Sequence, residues 1–299
     1  MTLEAGTTTP GADERLVQVG VVRGIFRRVE IGAHIGAVAV WLLFAAVAPG
    51  NWLSVTGVAR ILDPASTLGI MAIAVALLMI GGEFDLSTGV MTGSAGLVAG
   101  LLSTRMGWNL WPAMGAALIF ALGIGYLNGM MVTRTGLPSF IVTLATFFAL
   151  RGANVGVTRL VTEQVYVGGI DKTEGFELAR LVFNTGIDVF GIEFRSSIIW
   201  WVVIAVIASW VLLRTKYGSW VFATGGDANA ARNVGVPATR VKITLFMTTA
   251  AAAWLVGMMN IVRLRSAVAS QGIGQEFIYI IAATIGGCLL TGGYGSVIG

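Results

Sequence analysis

The 299-residue chain is 56% hydrophobic and only 11% charged, with a mean hydropathy of +0.84. A water-soluble domain carries roughly 25% charged residues, so a polar outer surface cannot be built from this chain. Its net charge of +4 does not point to nucleic acid, because the basic residues are scattered rather than gathered on one face.

Residues 1–30 form a polar leader with a Thr/Gly/Pro-rich stretch, Thr7 to Gly11, expected to be cytoplasmic and partly disordered. The apolar run that follows it is not expected to be a cleaved signal, since the leader is long and no cleavage site follows a short apolar core. From there the chain falls into runs without Asp, Glu, Lys or Arg. These are Ile31 to Ala59, Pro64 to Gly82, Leu86 to Thr104, Met106 to Thr133, Thr135 to Leu150, Ser196 to Leu213, Ile243 to Val262 and Phe277 to Gly299. Each approaches the roughly 20 apolar residues that cross a bilayer, which predicts an all-α, polytopic bundle of about eight spans over residues 31–299.

The first interruption with chemical content is Gly81-Gly82-Glu83-Phe84-Asp85-Leu86-Ser87. Carboxylates in the bilayer are costly, so Glu83 and Asp85 read either as a capped turn, with Asp85 or Ser87 capping the next helix, or as a broken segment lining a pathway or gate. Glycines then recur at four-residue spacing: Gly89 with Gly93, Gly96 with Gly100, Gly125 with Gly129, and Gly152 with Gly156. This spacing predicts close helix packing inside the chain, with a dimer seam or pathway lining as the alternative.

Two longer hydrophilic segments follow. Residues 158–195 hold four basic and six acidic residues, whereas 214–242 hold five basic and one acidic. Charge therefore puts 158–195 outside and 214–242 in the cytoplasm. Arg263 and Arg265 oppose that arrangement, and Arg151 is expected near a span end on the outer side. Within 214–242, Asp227 is a good N-cap, an Ala-rich stretch follows, and Gly235 suits a left-handed C′ position ahead of Pro237. A helix of about seven residues cannot stand alone and must dock, on its own spans or on another protein. Near the end, Ile285-Gly286-Gly287 repeats the glycine pair of Gly81-Gly82, hinting at an internal duplication.

No Gly-Lys dipeptide occurs, so the chain holds no phosphate-binding loop of its own. The single Cys288 and single His34 complete no metal site or catalytic set, and no cofactor is expected. An ion-coupled transporter or channel is the main alternative to transport driven by a separate ATPase, but only Glu83 and Asp85 approach the ionisable groups it would need.

Four stretches resemble the membrane-spanning permease subunit of ribose/xylose-type sugar ABC importers. They are Gly81 to Gly89 (with an added residue at Glu83/Phe84), Leu137 to Thr146 leading to Leu150-Arg151-Gly152, Asn229 to Gly235 ending in Arg240-Val241-Lys242, and Ile285 to Gly299. They occur in family order, with Asn229 displaced by about two positions. The resemblance implies that Gly226, Asp227, Asn229, Ala230, Ala231, Arg232 and Gly235 form a loop that couples to cytoplasmic ABC ATPase subunits. It further implies a second permease copy, an external solute-binding protein, and a place in the bacterial inner membrane. Gly81, Gly82, Glu83, Asp85, Ser87, Gly286 and Gly287 become the pathway or gate candidates. The family's pattern of about ten spans continues past the final glycine block, whereas the sequence ends at Gly299.

Overall fold

The computed structural model describes residues 29–189 and 192–299. The leader expected over 1–30 lies outside the described residues except for its last two, which already belong to the first described helix, α1 (Val29–Val47). The main contact of α1 is with the short α2 (Pro49–Trp52), where Phe44 stacks on Trp52 at 4.8 Å.

The body consists of α3 (Val55–Ile80), α4 (Thr88–Arg105), α5 (Leu110–Thr135), α6 (Ser139–Thr162), α8 (Ser196–Arg214) and α11 (Ala238–Leu264). Between α6 and α8 lie β1 (Tyr166–Gly168), a 3-10 turn, the amphipathic α7 (Phe176–Phe183), and a hairpin of β2 (Gly186–Val189) and β3 (Ile192–Arg195). Between α8 and α11 lie α9 (Lys216–Gly226) and α10 (Ala228–Asn233). After α11 come β4 (Ser266–Val268), antiparallel to β1, then α12 (Gln275–Ile285) and a glycine-rich return to Gly299. The chain is thus mostly helical, and the two small strand pairs are additions to the all-α expectation.

Five of these helices, α3, α5, α6, α8 and α11, are long and apolar enough to cross a membrane. Three of the expected runs differ. The run from Ile31 to Ala59 holds α1 and α2 and the start of α3. The run from Leu86 to Thr104 forms α4, whose Gly, Ser and Thr content lowers its hydropathy. The run from Phe277 to Gly299 is helical only to Ile285. Two boundaries also move. Arg60 and Asp63 do not divide two spans but lie inside α3, which continues through Pro64. The Ser66 hydroxyl donates to the Asp63 carbonyl and the Thr67 hydroxyl to the Pro64 carbonyl, satisfying backbone acceptors near the proline. Likewise Arg151 is not at a span end: α6 runs through it to Thr162.

Helix α11 is the hub, packed on α5, α4 and α3. Small residues make these approaches possible. A Cβ at Gly129 would lie 2.7 Å from the Ile243 Cα, one at Gly125 2.7 Å from the Phe246 carbonyl, and one at Gly257 2.5 Å from the Thr92 carbonyl. On α4, Gly89 and Gly93 face the 271–276 loop, Gly96 faces Ile261, and Gly100 faces Ile170. Gly152 and Gly156 on α6 are different: no atom of the described residues stands within 4 Å of a Cβ at either. The sequence expectation of intrachain packing therefore holds for the first three glycine pairs and not for the last.

At the 158–195 end, Phe183 meets Trp111, Trp200 and Trp254 at 6.1–6.5 Å and anchors α7 over the bundle. The ion pair of Arg263 with Asp63 at 3.1 Å ties α11 to α3 at the same end. Replacing Gly129 by Ala is expected to cost about 1–3 kcal/mol through overpacking. Gly123→Ala, on an open face of α5, should be neutral or slightly stabilising. Thermal unfolding of the two purified variants in detergent checks the contrast.

Candidate functional site: a helix break joined to the basic loop

Helix α3 stops at Ile80 because Gly82 takes φ +83, a left-handed conformation open to glycine. The Gly82 amide donates to the Met79 carbonyl and the Glu83 amide to the Leu78 carbonyl, the paired bonds of a Schellman end. The chain then runs unwound to Ser87 before α4 begins. Inside a bilayer such a stretch has no water to bond, so its amides must find protein partners. They do: Phe84 N–H donates to the Ser139 hydroxyl at 3.0 Å, Leu86 N–H to the Thr143 hydroxyl at 3.1 Å, and Ser87 N–H to Asp85 Oδ1 at 2.9 Å.

Asp85 is 2% exposed and sits at the centre of a polar chain that joins four segments. The Thr146 hydroxyl on α6 donates to Asn128 Oδ1 on α5 at 2.6 Å, and Asn128 Nδ2 donates to the Ser87 hydroxyl at 3.1 Å. Ser87 in turn donates to Asp85 Oδ1 at 2.6 Å, while Thr249 on α11 donates to Oδ2 at 3.0 Å. Asn128 lies seven residues from the end of α5, placing this cluster about 10 Å inward from that end at 1.5 Å per residue. Asp85 thus accepts the Ser87 amide as a capping residue would. The segment is nevertheless a break that enters the bundle rather than a surface turn. Glu83, 6% exposed, is paired with Lys242 near the start of α11.

The carbonyl freed at Ile80 accepts from the Gly293 amide at 2.9 Å. Around it, backbones touch directly. A Cβ at Gly225 would fall 1.8 Å from the Ile80 carbonyl oxygen, one at Gly292 2.6 Å from the Gly82 Cα, and one at Gly293 2.8 Å from the Gly226 Cα. The end of α3, the end of α9 and the last glycine-rich loop therefore meet at a junction that admits no side chain. Here the structure departs from the sequence reading. Gly286 and Gly287 end α12 with the same Schellman bonding as Gly81 and Gly82. The pair that reaches the break, however, is Gly292 and Gly293, with Gly225 from the basic loop. Ser139, Thr143, Thr146 and Lys242 lie in two of the stretches that carry the resemblance, but nothing in the sequence assigns them to the break. For Asn128 and Thr249 the one sequence signal is an amide or hydroxyl in an otherwise apolar helix.

Just past the junction, α10 is short and capped as expected. The Asp227 carboxylate accepts from Asn229 N–H at 2.8 Å and Ala230 N–H at 3.0 Å. Those bonds, that to Ala230 first, hold the Asp227 carboxyl below its usual range, so it stays charged at the positive end of α10. Gly235 takes φ +85 and closes a third Schellman end through Gly235 N–H to Arg232 and Val236 N–H to Ala231. Ala231 is buried against the bundle, whereas Gly226, Asp227, Asn229, Ala230, Arg232 and Gly235 are exposed. Val234 projects with 80% of its surface open.

The sequence family decides what kind of protein carries this arrangement. The model of the branched-chain amino acid transport system permease component matches residues 57–299. The chain belongs to that family of transport permeases. The ribose import permease protein RbsC of Escherichia coli K12 is 29% identical over 253 residues, covering 83% of this chain and 74% of that protein. The xylose transport system permease protein XylH of the same strain is 28% identical over 310 residues, covering 88% and 79%. The inner membrane ABC transporter permease protein YjfF is 26% identical over 289 residues, covering 92% and 80%. No solved structure matches the chain. With five helices long and apolar enough to cross a membrane and this family membership, the chain is an integral membrane permease.

Lys242→Met leaves Glu83 buried without its partner and should cost about 3–5 kcal/mol, while Glu83→Gln combined with Lys242→Met should recover most of the loss. Denaturant or thermal unfolding of the single and double variants reads the difference.

Proposed function

We propose that this chain is the permease subunit of an ATP-driven ABC importer in the bacterial inner membrane, carrying a monosaccharide. Support for the substrate class comes from the names of its relatives, which import ribose and xylose. Support for an external motor comes from the chain itself, which has no phosphate-binding loop.

The observation that carries the reading is the two-sided packing of α10. One side, through Ala231 and the adjoining Gly225, rests on the bundle and the break. The other offers Val234 and the exposed polar residues 226–235 to a partner. In this reading the partner is a cytoplasmic ABC ATPase subunit, and 214–242 is the coupling loop. The 158–195 segment is then external and meets a solute-binding protein, and a second permease copy completes the pathway. Helices α1, α4 and α12 lie in the bilayer beside the five long spans, giving about eight segments. ATP-driven closure of the ATPases would move α10, and the junction at Gly82, Gly225 and Gly292 would pass that motion to the break at Glu83–Ser87, the candidate gate. A conformational equilibrium biased from both ends suffices, with no chemistry in the permease.

An ion-coupled mechanism is less well supported, because Glu83 is engaged by Lys242 and Asp85 by Ser87 and Thr249. The test is uptake of labelled ribose and xylose by vesicles holding the chain with its cognate ATPase and binding protein. Gly235→Val, which forces a β-branched residue into φ +85, is expected to leave ATP hydrolysis running while uptake falls about tenfold or more. Unchanged coupling would remove the role assigned to the loop.

A further inference from the structure

Arg151 stands midway along α6, roughly 18 Å from the first residue of that helix at 1.5 Å per residue. It is exposed, and no residue described in the structure forms an ion pair or hydrogen bond with it. A guanidinium at that depth is strongly disfavoured in hydrocarbon, and either bilayer surface is further away than an arginine side chain reaches. Something polar must therefore face it.

Two candidates can be set aside. The first is lipid alone, which offers a guanidinium no hydrogen-bond acceptor at this depth. On the face of α6 that carries Arg151, Phe148 and Val155 are exposed, as large apolar residues are on α8. Beside them, however, Gly152 and Gly156 form a strip above which no atom of the described residues stands. The second candidate is a carboxylate from a second copy of this chain. Among the described residues, the acids inside the membrane bundle are already engaged, and Glu163, the C-cap of α6, lies roughly 18 Å along the helix from Arg151. Asp63 is paired with Arg263, Glu83 with Lys242, and Asp85 is bonded by Ser87 and Thr249. Glu276, 3% exposed, accepts from the Gly274 amide. An identical neighbour would bring no spare negative charge to this depth.

A second observation extends the polar character of the site. Asn154 and Thr158 follow Arg151 at i+3 and i+7, beside it on the inner flank of α6. Asn154 Nδ2 and Thr158 Oγ1 are buried and have no partner among the described residues. Polar groups with unmet hydrogen-bonding capacity thus run from the middle of α6 toward its 158–195 end.

We propose that Arg151 faces the water-filled translocation route and donates hydrogen bonds to hydroxyl oxygens of the sugar as it passes. The planar, permanently charged guanidinium presents five donors in a fixed fork, suited to adjacent hydroxyls of a polyhydroxylated ring and unable to lose its charge. The assignment rests on the importer reading above, and it makes Arg151 a substrate-contacting residue that helps decide which sugars pass.

The test uses the full complex of permease, ATPase and binding protein in vesicles, with the buried Cys288 replaced by Ala so that introduced cysteines are unique. A membrane-impermeant methanethiosulfonate reagent should modify Arg151→Cys at least about tenfold faster than Val206→Cys on the apolar face of α8, and ribose or xylose should slow that reaction. Labelling of Arg151→Cys no faster than Val206→Cys would overturn the aqueous placement. In parallel, Arg151→Gln should lower sugar uptake about tenfold or more, the cost of losing charge-assisted hydrogen bonds. Arg151→Lys, which keeps the charge but not the fork, should alter the ratio of ribose to xylose uptake. Hydrolysis stimulated by loaded binding protein should persist in both, a result that a merely misfolded variant would not give. Labelling that no sugar slows, together with normal uptake by Arg151→Gln, would overturn the substrate contact. If the unaltered complex takes up neither sugar, the importer reading fails by itself, and the labelling comparison still decides whether Arg151 faces water.

Discussion

Backbone amides in a bilayer have no solvent to bond, and the whole arrangement of this permease follows from how one interrupted segment meets that demand. Between Ile80 and Thr88 the helical ladder is lost for seven residues. The Gly81, Gly82 and Glu83 amides turn back onto α3. Phe84 and Leu86 are received by hydroxyls at the start of α6, and Ser87 by its own neighbour Asp85. The Ile80 carbonyl is received by Gly293. These partners come from separate regions of the sequence, so the break can form only when the bundle around it has assembled.

The same constraint explains why α11 is the hub. It contributes Thr249 to the Asp85 carboxylate and Lys242 to Glu83, and at its other end Arg263 to Asp63. Charges that would be prohibitive singly are thereby compensated along one helix. The bare contacts of Gly82, Gly225, Gly226, Gly292 and Gly293 add a mechanical consequence. With no side chains between them, the break and the end of α9 lie backbone against backbone, and α10 follows α9 directly. In the proposed mechanism, this junction is the route by which a displacement of α10 would reach the carboxylate cluster.

How much of this was legible in the sequence varies with the physics of each feature. Hydropathy located the five long apolar helices, because lipid selects for apolarity along a whole span, while the runs from Ile31, Leu86 and Phe277 give no helix of that kind. It misplaced two boundaries for one reason: charges were treated as span ends. Arg60 and Asp63 lie inside α3, where Asp63 has a partner, and Arg151 lies inside α6, where no described residue neutralises it. The Asp227 cap and the Gly235 terminus were readable because capping depends on a few neighbouring residues. The glycine junction was not, since Gly82, Gly225 and Gly292 meet through tertiary packing and each alone resembles any membrane glycine. Likewise Asn128, Thr143 and Thr249 carry no local signature of their shared attachment to the break.

The most direct test of this account is hydrogen–deuterium exchange of the permease with and without its ATPase subunits. Peptides covering 225–236, 80–87 and 290–295 are followed in parallel. If the junction transmits, binding of the ATPases should change protection in the loop, the break and the last glycine loop together. A change confined to 225–236, with exchange at Gly82–Ser87 and Gly292–Gly293 unaltered, would contradict the claim that these segments act as one unit.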